Sequence, residues 1–187
     1  MAEGSKFNNE ELDLIKKAQK GEAEAFAVLY DRYLNPIYRF IFFKITLRQE
    51  TEDICQQVFL NAWKHINDFV PRQPFSSWLY RIARNAVIDH WRTKKIVLTL
   101  ENPKLQENLK VDFNPAFLLD KESQIKKIWE ALKQLNQDQQ DVIIMRFVEN
   151  LSHQEIAKTI NKTEGATKVI QHRAVRALKK ILENEKL

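Results

Sequence analysis

One cysteine, three glycines and five prolines stand among 187 residues. The lone thiol, Cys55, excludes an intrachain disulfide and any CxxC metal site, and it fits a reducing compartment. Gly4, Gly21 and Gly165 are too few and too scattered for a glycine-rich phosphate loop. Strand-like alternation is nearly absent as well, so an almost wholly helical chain is expected. Apolar runs such as Phe40 to Phe43 are far too short to span a bilayer. The opening stretch MAEGSKFNNEELDLI is polar and acidic and lacks the apolar segment of a signal peptide. A soluble, cytoplasmic protein with no membrane insertion is the expectation. Catalytic signals are missing too. His65, His90, His153 and His172 show no metal-ligand spacing, and Glu22 and Glu24 read as solvated helix-start charges. With no Ser-His-Asp or paired-carboxylate pattern, no catalytic residue, metal, cofactor or enzymatic activity is expected.

What the chain does have is unevenly placed charge. The net charge is +5, enough to suggest a polyanion partner without proving one. Residues 72–95 carry Arg72, Arg81, Arg84, Arg92, Lys94 and Lys95 against only Asp89. Residues 50–68 hold Glu50, Glu52, Asp53 and Asp68 against Lys64. Neighbouring segments of opposite sign imply two surfaces and two different partners.

Apolar residues recur at helical spacing from Glu10 to Ala18 and from Glu22 to about Ile45, with Gly21 breaking the pair and Asn35-Pro36 marking a joint or kink. A third helix is expected over Glu52 to Ile66, a proline-containing loop over 67–75, and a fourth helix, capped by Ser76, over Ser77 to Thr93. Residues 94–121 lose the period and contain Pro103 and Pro115, so they read as an irregular linker. Helices resume near Glu122 and over Gln137 to Phe147. Two helical domains, 8–93 and 122–187, follow, because a linker this long argues against one compact domain.

Residues 152–182, SHQEIAKTINKTEGATKVIQHRAVRALKKIL, carry the most information. Ser152 and Glu155 form a capping box for a short helix, and Asn161 suits a left-handed turn. Thr163 then caps a second helix whose Ala166, Ile170, Ala174, Ala177 and Ile181 make one apolar stripe. Lys168, His172, Arg176 and Lys179 lie on the other side. This is a helix-turn-helix with a cationic outer face, suited to a DNA groove.

Two longer stretches resemble a known family. EDICQQVFLNAWKHINDF (52–69) and FSSWLYRIARNAVIDHWRTKK (75–95), preceded by AFAVLYDRYLNPIYRF (25–40), resemble region 2 of bacterial extracytoplasmic-function (group IV) sigma factors, members of the sigma-70 family. LKQLNQDQQDVIIMRFVENLSHQEIAKTINKTEGATKVIQHRAVRALKKIL (132–182) resembles their region 4. The order and spacing also match. The resemblance implies an all-α protein with a four-helix region 2 domain (8–93), a flexible linker (94–121) and a region 4 helix-turn-helix domain (122–187). It further implies a transcription initiation factor that binds core RNA polymerase through the β′ clamp helices and the β flap. Such a factor recognises −10 and −35 promoter elements and promotes DNA melting, and an anti-sigma factor is a further partner the family often uses. Asn150 and Asn161 stand where relatives often have Gly, and both tolerate a left-handed turn.

On this resemblance Asp53, Gln56, Gln57, Leu60 and Trp63 face core polymerase, although Trp63 reads equally as part of the core. Trp78, Tyr80, Arg81, Arg84, Asn85 and Asp89 mix rings with cations as single-stranded −10 DNA requires, with Trp78 again open to a core role. Lys168, Val169, His172 and Arg173 would read −35 bases, with a structural ion pair the alternative for Arg173. Arg176 and Lys179 would touch phosphate, as would Ser152 and Gln154 at the preceding helix start. Two rivals stand beside this reading: a stand-alone helix-turn-helix regulator with a palindromic site, and a helical adaptor that binds only proteins.

Overall fold

The computed structural model describes residues 9–101 and 122–184, with side chains described over 9–96 and 127–184. Helix α1 (Asn9–Gln19) carries Glu10 and Glu11 in its first turn and Lys16 and Lys17 in its last, which suits the helix dipole. Gly21, at φ 89°, turns the chain into α2 (Ala23–Ile45). The expected joint at Asn35-Pro36 does not appear as a break, because α2 runs through Pro36. Ile37, Phe40 and Ile41 just beyond it are fully buried, and that burial offsets the one ladder hydrogen bond proline cannot donate.

Helix α3 (Arg48–Lys64) starts a turn before the expected Glu52, with Thr51 Oγ1 donating to the Leu47 carbonyl at 2.8 Å. A short 3-10 turn, Ile66–Asp68, opens the following loop. Gln19 Nε2 pins that loop by donating to the carbonyls of Ile66 (3.0 Å) and Phe69 (2.9 Å). Helix α4 (Phe75–Glu101) corrects two expectations. Ser76 is not its cap but a buried residue inside it, with its hydroxyl 3.4 Å from Glu155 Oε1. The helix also runs on past Thr93, so 94–101 of the expected irregular linker are helical, and 102–121 lie outside the described residues.

In the second half α5 (Glu122–Lys133) leads to α6 (Gln137–Ile143), which widens into a π-turn over Ile144–Val148. Asn136 and Gln139 form a capping box at the start of α6, a pattern legible as Asn-x-x-Gln but absent from the sequence reading. Helices α7 (His153–Ile160) and α8 (Glu164–Asn184) make the helix-turn-helix. Its local chemistry is as expected: the Ser152–Glu155 box forms, and Thr163 Oγ1 accepts from the Ala166 N–H at 3.1 Å. Asn150 (φ 55°) and Asn161 (φ 54°) adopt the left-handed conformation. Replacing Asn161 by Ala should therefore lower stability by about 1 kcal/mol, whereas Gly should leave it unchanged or higher. Thermal melts of the two variants check this, and equal melting temperatures would count against a left-handed requirement.

The two halves are not apart. Val142, Ile144, Met145, Leu151, Ile156 and Ile160 join one buried apolar cluster with Phe40, Tyr80, Leu79 and the rest of the first half. A smaller cluster of Leu132, Leu135, Ile143 and Ala174 receives Phe43. Trp129 stacks on Phe43 at 5.1 Å and meets Phe42 edge-on at 5.7 Å. Linker length limits how a connection folds, not whether two helical bodies dock, and here they dock through apolar faces and ion pairs.

Candidate nucleic-acid and partner interfaces

Helix α3 buries Thr51, Ile54, Cys55, Val58, Phe59 and Ala62 and turns Asp53, Gln56, Gln57 and Leu60 outward. Leu60 is 54 % exposed, a large apolar side chain amid polar neighbours, which is the anatomy of an interface centre. Gln57 Nε2 donates to Asn61 Oδ1 at 2.8 Å along the same face. Trp63 is divided: it packs on the core, 4.9 Å from the Phe26 ring, and remains partly exposed. Cys55 is buried, which pushes its thiol up to about 11 and leaves it no nucleophile at neutral pH.

The residues picked on α4 separate into two groups. Trp78, Asn85 and Asp89 line an open groove of about 420 Å³ between α3 and α4, with Asn61, His65 and Asp68 opposite. No spacing along α4 points to those three, because they lie across the groove at the end of α3 and in the turn after it. Trp78 lies 5.5 Å from Phe69 and 5.4 Å from Phe75, so one side of its ring is structural while the groove receives the rest. His65 Nδ1 and Asp68 Oδ2 pair at 2.9 Å on the rim.

Tyr80, Arg81 and Arg84 form the second group and do not face an open surface. Tyr80 is 2 % exposed, meets Phe40 edge-on at 5.4 Å and donates to Glu149 Oε2 at 3.2 Å. Burial, then the Glu149 charge, holds its phenol well above the ordinary range. Arg81 Nη2 bonds the Lys158 carbonyl and, at 3.2 Å, Gln73 Oε1. Arg84 pairs with Asp141 through Nε (2.6 Å) and with Asp138 through Nη2 (2.9 Å). Nothing in the apolar stripe of α4 needs Arg84. The need comes from α6, which its local pattern could not reveal.

Helix α8 presents Lys168, Val169, His172, Arg173, Arg176 and Lys179 to solvent while Thr167 and Ala174 are fully buried. Arg173 is exposed rather than sunk beside the apolar stripe. Lys168 pairs with Glu164 at 2.7 Å, which holds that carboxyl below its usual range. Ser152 and Gln154 are exposed at the start of α7, and His153 Nε2 meets Gln171 Oε1 at 2.5 Å, tying α7 to α8. Ile170 packs half-buried against the main core.

Two exposed faces of opposite character therefore lie on one helical molecule, polar and apolar on α3 and cationic on α8. Residues 29–96 match the family described as Sigma-70 region 2, and residues 131–180 match Sigma-70, region 4. The ECF RNA polymerase sigma factor SigX of Bacillus subtilis is 32% identical over 164 residues, covering 86% of this chain and 84% of that protein. The chain belongs to the extracytoplasmic-function RNA polymerase sigma factors. As a sigma factor it binds RNA polymerase and serves promoter-specific transcription initiation. ECF sigma factor SigW of the same bacterium is 31% identical over 178 residues, 91% of this chain and 95% of its own. BldN of Streptomyces coelicolor is 33% identical over 175 residues, 93% of this sigma factor but 66% of the longer relative. The fold is shared with CnrH, solved in complex with the cytosolic domain of CnrY, at a TM-score of 0.73 and 22% identity over 94% of this chain and 98% of that one.

Proposed function

We propose that this sigma factor docks on core RNA polymerase through α3 and reads a −35 element with α8. A −10 strand would then lie across α4 and its groove. The separation of faces carries the reading: Leu60 stands exposed among Asp53, Gln56 and Gln57 on one helix, while six α8 side chains, five of them basic or His, stand exposed on another. The α3 face suits the β′ clamp helices, and the second half suits the β flap. Asn85, Asp89 and Asn61 offer amide and carboxylate groups to the edge of an unstacked base, and Trp78 offers a ring. Trapping that base favours melting without any chemistry by this chain, so catalysis belongs to the polymerase and the protein is no enzyme. An anti-sigma factor completes the partner set. Among the described residues no helix is long and apolar enough to cross a membrane, and the place of action is the cytoplasm.

In vitro transcription with purified core polymerase and a pool of genomic fragments tests the whole reading. Discrete initiation at −35/−10 spaced promoters is expected, and output no different from core alone would overturn it. The α8 assignment has its own test in a randomised −35 library. Lys168→Ala and His172→Ala should change which bases are selected, because groove-edge contacts specify sequence. Lys179→Ala should keep the consensus and weaken all sequences alike, lowering the log–log salt slope by about one unit. An unchanged consensus for both groove variants would remove α8 from base reading.

A further inference from the structure

Arg39, Lys44 and Arg84 are cations of the first half whose salt-bridge partners among the described residues are carboxylates of the second. Arg39 grips Glu149 with Nε at 3.0 Å and Nη2 at 2.8 Å. Lys44 pairs with Asp141 Oδ1, and Arg84 takes the other oxygen of that carboxyl and Asp138 besides. Asp141 is fully buried, and the Glu149 side chain is 2% exposed. Paired carboxylate oxygens on an Arg fork reproduce what a phosphodiester offers the same fork. We propose that Asp138, Asp141 and Glu149 are internal stand-ins for DNA phosphates. They occupy a cationic track of Arg39, Lys44 and Arg84 over α2 and α4, so the closed protein refuses single-stranded promoter DNA until its halves part. The inference rests on the reading of α4 as the −10 surface, and it adds Arg39 and Lys44 to that surface.

The joint is fit to open. A cavity of about 220 Å³ lies beside the Lys44–Asp141 pair, between Phe43, Trp91, Leu132 and Ile144. Elsewhere on the joint, where Arg81 bonds the Lys158 carbonyl of α7, its Nε is buried without a hydrogen-bond partner among the described residues, a cost that the closed contact carries. Buried ion pairs add little net stability, because desolvation cancels much of their attraction. They do make the closed state sensitive to loss of one member, and to a competing polyanion.

Fluorescence anisotropy with a labelled mixed-sequence single-stranded 20-mer measures the effect on the full chain. The variant Asp138→Asn, Asp141→Asn, Glu149→Gln should bind about tenfold tighter than wild type at equal salt, as a rarely populated open state becomes common. Its radius of gyration by small-angle X-ray scattering should rise. The variant Glu22→Gln, Glu24→Gln, Asp31→Asn removes the same charge from exposed positions and should gain far less. Adding Arg39→Ala and Lys44→Ala to the triple variant should abolish the gain. If the triple variant loses helicity, Glu149→Gln alone is the readout, with a gain of about threefold. A gain no larger than that of the surface-charge control, or an unchanged radius, overturns the inference. Normal promoter opening by Arg84→Ala holoenzyme would instead strike the −10 reading itself, so the two failures are distinguishable.

Discussion

Replacing Gln56 and Leu60 together by Ala should weaken binding to core RNA polymerase by about 30-fold or more, which corresponds to roughly 2 kcal/mol. Leu60 is the large exposed apolar side chain on α3 and is ringed by Asp53, Gln56 and Gln57. Interface energy concentrates in such centres, where polar neighbours exclude water around one deeply inserted group. The helix itself should not notice the change. Its stability comes from Ile54, Val58, Phe59 and Ala62 on the opposite side, all buried, and Ala is the best helix former. Circular dichroism should accordingly match wild type, and a pull-down against core enzyme reads the affinity. Undiminished binding by a fully helical double variant would remove α3 from the docking surface.

Trp63→Ala is the informative contrast. Its ring leans on Phe26 at 4.9 Å, so truncation mixes lost core packing with any lost contact to polymerase. Its half-exposed ring packs on the core, so only the exposed cluster around Leu60 isolates the docking term.

Local chemistry was legible in the sequence and long-range pairing was not. Ser152–Glu155, Thr163, Asn150, Asn161 and Gly21 act through their own backbone or that of near neighbours, so their roles follow from spacing alone. The apolar stripes of α3 and α8 were readable for the same reason. Asn35-Pro36 does not break α2, since a well-packed helix tolerates the proline, and Ser76 misled because burial decided its setting: it meets Glu155 across the joint. Residues 94–101 misled differently, since helix continuation past Thr93 leaves no cap or breaker to read. Of the α4 candidates, Trp78, Asn85 and Asp89 share a groove as a −10 surface needs, whereas Tyr80 is committed to the core and to Glu149. Arg84 reads as a surface cation on its own helix, and only Asp138 and Asp141 reveal its second partner.

That double commitment makes Arg84→Ala and Asn85→Ala a decisive pair. Each should impair promoter opening by about 1–3 kcal/mol, the usual worth of one base or phosphate contact. Only Arg84→Ala should also destabilise the free protein, because it strips one cation from the buried Asp141. Lys44 remains on that carboxylate, so the loss should stay below the about 3–5 kcal/mol of a fully broken buried pair. Asn85 is exposed and lines only the groove, so its replacement should leave the melting temperature in place. Permanganate footprinting of the open bubble in holoenzyme, beside thermal melts of the free sigma factor, separates the two effects. Opening should fall in both variants whatever −35 element is present, since α8 is untouched. Footprints equal to wild type in both variants would detach α4 from melted DNA. An unshifted melting temperature in Arg84→Ala would show instead that the joint between the halves draws nothing from this ion pair.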